Sequence, residues 1–328
     1  MYFTVKTFGC KVNQYESIGI STAMRKAGFE EICDEKTADI IIINSCSVTG
    51  TGDKKACHEA VRLKRLNPEA VIVLTGCFPQ AFPAEAEKSC ADIVTGNASK
   101  SSIPEVLKKY MSERQKIVSV TPMPTAYEGM ELCRQGEKTR AFIKIEDGCN
   151  RFCSYCIIPY ARGRVRSRSL DDIVAEVGEC AAAGQKEIVL VGINLSCYGH
   201  DTGKSLADAV EAVCAVNEVE RVRLSSLEPE LLDEEMLERL SAQKKLCPHF
   251  HLSLQSGCDE TLARMNRKYT TAEYQAVLDR IRTAMPDSAI ATDIMVGFPQ
   301  ETDEEFEKPC RFAEEIRLAD AHIFKYSI

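Results

Sequence analysis

The chain has 328 residues, 45% of them hydrophobic and 27% charged, enough apolar sequence for two packed domains and too much for a disordered chain. Its net charge of −8 excludes a uniformly basic nucleic-acid binder, and no apolar run reaches the roughly 18–20 residues of a membrane span. Sixteen cysteines, with no basic start or apolar stretch of a signal peptide in MYFTVKTFGCKVNQYES, predict a cytoplasmic protein without a membrane partner, whose clustered thiols hold metal or do chemistry.

Residues 2–8 alternate as a strand, and 15–27 follow with helical spacing. Residues 40–43 form a fully apolar strand, a helix runs through 54–66, and 71–74 is a second such strand. A shorter αβ unit and a helix near 104–111 complete this region. Near-continuous apolar strands alternating with helices predict a parallel sheet covered on both faces. Cys10, Cys46 and Cys77 each directly follow one of these strands, in VKTFGC, DIIIINSC and VIVLTGC. Side chains just beyond the carboxyl ends of parallel strands share one rim, so three cysteines distant in sequence are expected to meet there. Each alone reads as a buried thiol; their common position favours a shared centre, with Gly9 and Gly76 allowing close backbone approach. Cys33, Cys90, Cys180 and Cys214 read as small buried hydrophobes, and Cys57, which like Cys33 lacks this placement, as structural.

Residues 121–136 hold Pro122, Pro124, Gly129 and Gly136 with little periodicity and read as a connection. The predicted organisation is a domain over 1–120, a linker over 121–138 and a second domain over 139–328. In the latter, strands are expected at 142–146, 187–191, 221–224, 249–254, 289–296 and 321–326, with helices between them such as 170–182 and 303–316. Six βα units are too few for a closed eight-stranded barrel and fit a partial, open one.

Just after the first of these strands, Asp147-Gly-Cys-Asn-Arg-Phe-Cys-Ser-Tyr-Cys156 spaces Cys149, Cys153 and Cys156 as C-x-x-x-C-x-x-C. Thiolates so close can wrap one loop around one metal centre. Three ligands suit a 4Fe–4S cluster with one iron left open. A structural zinc site needs a fourth ligand, for which only a distant group such as His200 offers itself. Residues 151–168 carry Arg151, Arg162, Arg164, Arg166 and Arg168 without an acid, either a phosphate-contacting island or a loop paired with acids elsewhere.

The triplet, with Tyr155 before its last cysteine, resembles the signature of the radical-SAM superfamily. That resemblance implies a partial βα barrel and a cluster whose open iron binds S-adenosylmethionine, cleaved to a 5′-deoxyadenosyl radical. GC-x-x-N (Gly9, Cys10, Asn13), NSC at 44–46 and GC at 76–77, followed by the triplet, resemble the methylthiotransferases. So do LVGINLSCYG (190–199), RVRLSSLEPE (221–230), HLSLQSGCDETLARMNRKYT (251–270) and TDIMVGFPQETDEEF (292–306). The match spans essentially the whole chain. It implies two 4Fe–4S clusters, one on Cys149, Cys153 and Cys156 and an auxiliary one on Cys10, Cys46 and Cys77 that holds the sulfur to be inserted. Tyr155, Gly192, Asn194, Ser225, Gln255, Arg267 and Gly297 fall in motifs expected to line the S-adenosylmethionine pocket, although a solvated helix face is the default for Arg264 and Arg267. TFGCKVNQYES and RLSSLEP look most like the branch that methylthiolates carbon two of N6-threonylcarbamoyladenosine beside the tRNA anticodon. Isopentenyladenosine in tRNA and a ribosomal-protein aspartate are the alternative substrates; a non-catalytic metal- and RNA-binding protein is the alternative of another class. The implied partners are a tRNA anticodon stem-loop, an electron donor such as flavodoxin or ferredoxin, and a sulfur source. Two departures from the family pattern stand out. Gln300 replaces a glycine in GFPQE, and the family's C-terminal RNA-binding β-barrel is expected to be absent from this chain.

Overall fold

The computed structural model describes residues 1–47, 50–132 and 139–327, with the backbone alone at Gly50 and Thr51. These residues group into two compact units, one of 1–132 with 157–164, the other of 139–156 with 165–326. The short helix Ile158–Arg162 therefore belongs with the first unit, although in sequence it follows the cysteine triplet.

The first unit is built on a six-stranded parallel sheet in the order Glu30–Glu31, Tyr2–Thr7, Ile40–Ser45, Val71–Gly76, Ile93–Thr95, Ile117–Ser119. Every residue of the two central strands is buried. Successive side chains alternate in direction. Ile41, Ile43, Ile72 and Leu74 pack with Ala56, Ala60 and Leu63 on one face, while Ile40, Ile42, Val71 and Val73 pack with Ile20, Met24 and Leu107 on the other. This two-sided burial explains the unbroken apolar runs. The chain leaves the first strand toward Glu30–Glu31 on one side and then crosses to Ile40–Ser45 on the other. The crevice beyond Tyr2–Thr7 and Ile40–Ser45 is thus the topological switch point, where open α/β sheets bind ligands. Within the predicted linker, residues 121–132 form no helix or strand, and 133–138 lie outside the described residues. Thr121 accepts a hydrogen bond from Gln80 Nε2 at 3.0 Å, and Met130 packs onto the core of this unit.

In the second unit Arg140–Lys144, Glu187–Val191 and Arg221–Leu224 form one parallel sheet, and His249–His251, Ala289–Val296 and Asp320–Lys325 another. Parallel bridges Val222–Leu246 and Leu227–Leu252 join the two. Six parallel strands in sequence order, with helices covering Ile143, Leu190, Val222, Phe250 and Ile290, make an open partial barrel. Capping boxes fix three helix starts: Ser205 with Asp208, Thr270 with Glu273, and Thr302 with Glu305. The strand expected at 142–146 ends at Lys144, because Glu146–Asp147 turns away to pair antiparallel with Arg166–Ser167. Of the cysteines read as buried hydrophobes, Cys180 and Cys214 are buried, whereas Cys33 and Cys90 are exposed, which corrects that reading; Cys57 is half-buried. No helix among the described residues is long and apolar enough to cross a membrane.

Candidate functional site

Cys10, Cys46 and Cys77 follow three strands that are neighbours in the sheet. Cys10 is the N-cap residue of helix Lys11–Lys26 and is exposed; Cys46 and Cys77 are buried. The backbones of these turns nearly touch. A β-carbon on Gly9 would lie 2.4 Å from Cys46 Cβ, and one on Gly76 would lie 2.3 Å from the Ser45 carbonyl oxygen. Both glycines have positive φ, +98° and +107°. Asn13 ties the turns together, its Nδ2 donating to the carbonyls of Phe8 at 2.8 Å and Ser45 at 2.9 Å. Asn44 Nδ2 donates to Asn13 O, and Ser45 Oγ to Thr75 O.

A buried polar network stands behind Cys77. Arg162, 0% exposed, donates from Nε to Cys77 Sγ at 3.3 Å and from its terminal nitrogens to Glu16 and to Asn13 Oδ1. Asn97 Nδ2 approaches the same sulfur at 3.6 Å. Lys100, also buried, pairs with Glu16; burial works against its charge and Glu16 favours it, with burial the larger effect.

In the second unit the loop carrying Cys149, Cys153 and Cys156 is held by its own backbone and by residues 264–266. Phe152 sits at φ +52°, its carbonyl accepting from Asn266 Nδ2 at 2.9 Å; Ser154 N donates to Met265 O and Ser154 Oγ to Arg264 O. N–H donors face the sulfurs: Arg267 Nη1 at 3.4 Å from Cys153, and Arg151 N at 3.5 Å and Asn194 Nδ2 at 3.7 Å from Cys149. Burial pushes the Cys149 thiol up. Tyr155 packs edge-on against Phe298.

Three of the predicted pocket residues share a property. Asn194 Oδ1, Ser225 Oγ and Gln255 Oε1 are buried without a hydrogen-bond partner, each on a residue just beyond the carboxyl end of a barrel strand. Unpaired buried oxygens carry a desolvation cost that a bound polar ligand removes. Gln255 also has φ +66°, and strained backbone of this kind clusters at ligand sites. Gly192 gives way to Glu146, whose Oε2 would be 2.6 Å from a β-carbon there. Gly297 has φ +71° and open space around it.

Glu146 escapes sequence reasoning. It is wholly buried; Asn194 N donates to its Oε2 at 2.8 Å, its Oε1 has no partner, and burial pushes its carboxyl well above the usual range. Its place just before the triplet was the available signal. Four members of the arginine island pair with acids elsewhere, the second of the two readings: Arg151 with Glu230, Arg162 with Glu16, Arg166 with Asp147 and Arg168 with Glu176, of which Arg162 and Arg166 are buried; Arg164 is on the surface. Of the two arginines expected on a solvated face, Arg264 stays partly exposed and grips Glu305 with both terminal nitrogens, whereas Arg267, its side chain 4% exposed, turns inward to pair with Glu228 and lies over the Tyr269 ring.

No three His, Cys, Asp or Glu side chains among the described residues converge as a single ion requires. A cube of four irons instead takes each thiolate on a separate iron, and N–H donors to sulfur are its usual surroundings. The donor sets fit such clusters better than a closed zinc tetrahedron, and His200 is exposed.

Family models match over residues 143–313 (Radical SAM superfamily) and 2–96 (Uncharacterized protein family UPF0004). The chain is 39% identical to the threonylcarbamoyladenosine tRNA methylthiotransferase MtaB of Aquifex aeolicus, covering 100% of this chain and 80% of that one. Identity to the MtaB of Bacillus subtilis is 40%, over 98% and 72% of the two chains. The tRNA-2-methylthio-N(6)-dimethylallyladenosine synthase of Ehrlichia canis is 33% identical, over 98% and 76%. Among solved structures, the radical S-adenosylmethionine methyltransferase TsrM from Kitasatospora setae superposes with a TM-score of 0.71 at 15% identity, over 99% of this chain and 74% of that one. The cobalamin-dependent S-adenosylmethionine radical enzyme OxsB does so with a TM-score of 0.64 at 13% identity, over 95% and 52%. These two likenesses concern the fold.

Proposed function

Because the chain belongs to the radical-SAM methylthiotransferase family, enzymes that use S-adenosylmethionine and 4Fe–4S clusters, we propose that it methylthiolates carbon two of N6-threonylcarbamoyladenosine next to the tRNA anticodon. The observation that carries this reading is the triplet loop with N–H donors at two of its sulfurs and unpartnered buried oxygens on Asn194, Ser225 and Gln255. The choice of substrate follows the relatives, 39% and 40% identical for two enzymes named for threonylcarbamoyladenosine against 33% for the dimethylallyladenosine enzyme.

Cys149, Cys153 and Cys156 would hold the cluster that binds S-adenosylmethionine, and Cys10, Cys46 and Cys77 the auxiliary one. Bound there, these groups supply what no side chain can: an electron to cleave the sulfonium, a radical that takes hydrogen from adenine carbon two, a sulfur to replace it and, from a second S-adenosylmethionine, the methyl. The chain's own part is placement. Asn194, Ser225 and Gln255 offer acceptors to the cofactor's polar groups, and Tyr155 with Phe298 and Met295 shields the triplet from water. Arg267, fixed by Glu228 and Tyr269, steadies the Cys153 sulfur. An external one-electron donor such as flavodoxin or ferredoxin, and a sulfur source, complete the system.

Nucleoside mass spectrometry of tRNA from a deletion strain tests the substrate. Loss of the methylthio group from threonylcarbamoyladenosine is expected; its persistence, with loss from isopentenyladenosine instead, overturns the assignment. Iron and sulfide analysis tests the ligands, since Cys46→Ala and Cys153→Ala should each remove about half the iron.

A further inference from the structure

Burying a guanidinium is costly unless it is fully paired, and replacing such groups by apolar ones is often neutral or stabilising. Arg162 is nevertheless 0% exposed, and all three arms of its planar fork are used. Two grip Glu16 and Asn13, and the third, Nε, points at Cys77 Sγ from 3.3 Å. Lysine offers no such fork. Asn13, one of its anchors, also fastens Phe8 and Ser45, so the orientation of Arg162 is tied to the turns that carry Cys10 and Cys46. The charges agree with the geometry. Around the single carboxylate of Glu16 stand the guanidinium of Arg162 and the amine of Lys100, so these three groups, when ionised, sum to one positive charge beside the sulfur. A positive charge and an N–H donor are what a buried thiolate and its anionic cluster require, and hydrogen bonds to sulfur and net charge set a cluster's potential.

We propose that Arg162 is a positioning residue of the first cysteine triad: locked by Glu16 and Asn13, it orients the Cys77 thiolate and sets the reduction potential of the cluster that this thiolate ligates. The proposal rests on the reading of Cys77 as a cluster ligand.

The test uses the full chain with Cys149, Cys153 and Cys156 replaced by alanine, so that iron binds at the first triad alone, reconstituted anaerobically and titrated with EPR detection. Arg162→Met should lower the midpoint potential and speed iron release to a chelator several-fold, and Arg162→Lys, which keeps the charge, should fall between it and the parent. A Met variant with the parent's iron content and an unmoved potential overturns the proposal. A second measurement needs no change at position 162. With isotopically labelled arginine, pulsed EPR of the reduced centre should show coupling to an arginine nitrogen, and no coupling overturns the proposal even where the Met variant does not fold. Cys77→Ala in the same background separates the two ideas. Retention of its iron defeats the ligand reading itself, whereas loss of iron there with an unmoved potential in Arg162→Met defeats only the role of Arg162.

Discussion

Cys149, Cys153 and Cys156 leave the backbone from one loop, whereas Cys10, Cys46 and Cys77 come from three turns that only the sheet brings together. The loop takes its shape from Phe152 at positive φ and is pinned by one short distant segment, through hydrogen bonds to Arg264, Met265 and Asn266. The distributed triad depends on register, Thr7 opposite Asn44 and Ser45 opposite Gly76. A slip of one residue would turn every side chain of a strand to the other face. The integrity of the first site is therefore bound to the stability of its sheet, while the second tolerates strain confined to its loop.

The largest effect that would expose this difference is at glycine. Gly9→Ala drives a β-carbon into Cys46 at a φ of +98°, so strain and overpacking add. A loss of roughly 2–5 kcal/mol is expected, with the iron of the first triad lost and that of the triplet kept. Gly297→Ala, at φ +71° in open space, should cost only roughly 1–2 kcal/mol and remove no iron. Denaturant titration with iron analysis reads both; equal losses would show that the two regions are built alike.

The next effect lies in the asparagines that fasten each site. Asn13, itself buried, donates two bonds to the turns and accepts one from Arg162, so Asn13→Ala should cost about 2–4 kcal/mol and loosen the first triad. Asn266 donates one bond to Phe152 O and accepts one from the exposed Lys268, and it sits at φ +58°, so Asn266→Ala should cost about 1–2 kcal/mol, less than the loss at Asn13. Chelator release of iron would show whether each loss stays within its own unit.

The same contrast governs what sequence reveals. The triplet announces itself, because all its ligands lie within eight residues, Cys149 to Cys156. The apolar runs at Ile40–Ser45 and Val71–Gly76 declare strands buried on both faces, and that placed Cys46 and Cys77 at one rim. What supports those residues was hidden. Arg162 reads as one of five arginines in a basic island, and nothing in its neighbourhood names Glu16, 146 positions away, as its partner. Arg267 sits in a helical-looking run, yet a turn after Asp259–Arg264 carries it inward to Glu228. Long-range pairing of charges leaves no periodicity to read, whereas strand ends and close ligand spacing do.

Two glutamines at the same strained backbone angle sharpen the comparison to its finest point. Gln255 and Gln300 both have φ +66°. Gln300 is exposed in GFPQE, where a glycine is usual in the family, and its side chain offers no visible return for the strain. Gln300→Gly removes about 1–2 kcal/mol of left-handed strain and forfeits about 0.4–1 kcal/mol to the freer unfolded chain. The net gain should be about 0.5–1 kcal/mol, seen as a higher denaturation midpoint with unchanged S-adenosylmethionine binding. Gln255→Gly relieves the same strain, but it deletes one of the three buried, unpartnered oxygens around the proposed pocket. Its stability should rise by a similar amount while affinity for S-adenosylmethionine falls, as measured by equilibrium binding to the reconstituted protein. If both substitutions leave that affinity unchanged, the strain at Gln255 is a feature of the barrel alone, and the pocket reading of its orphaned oxygen fails.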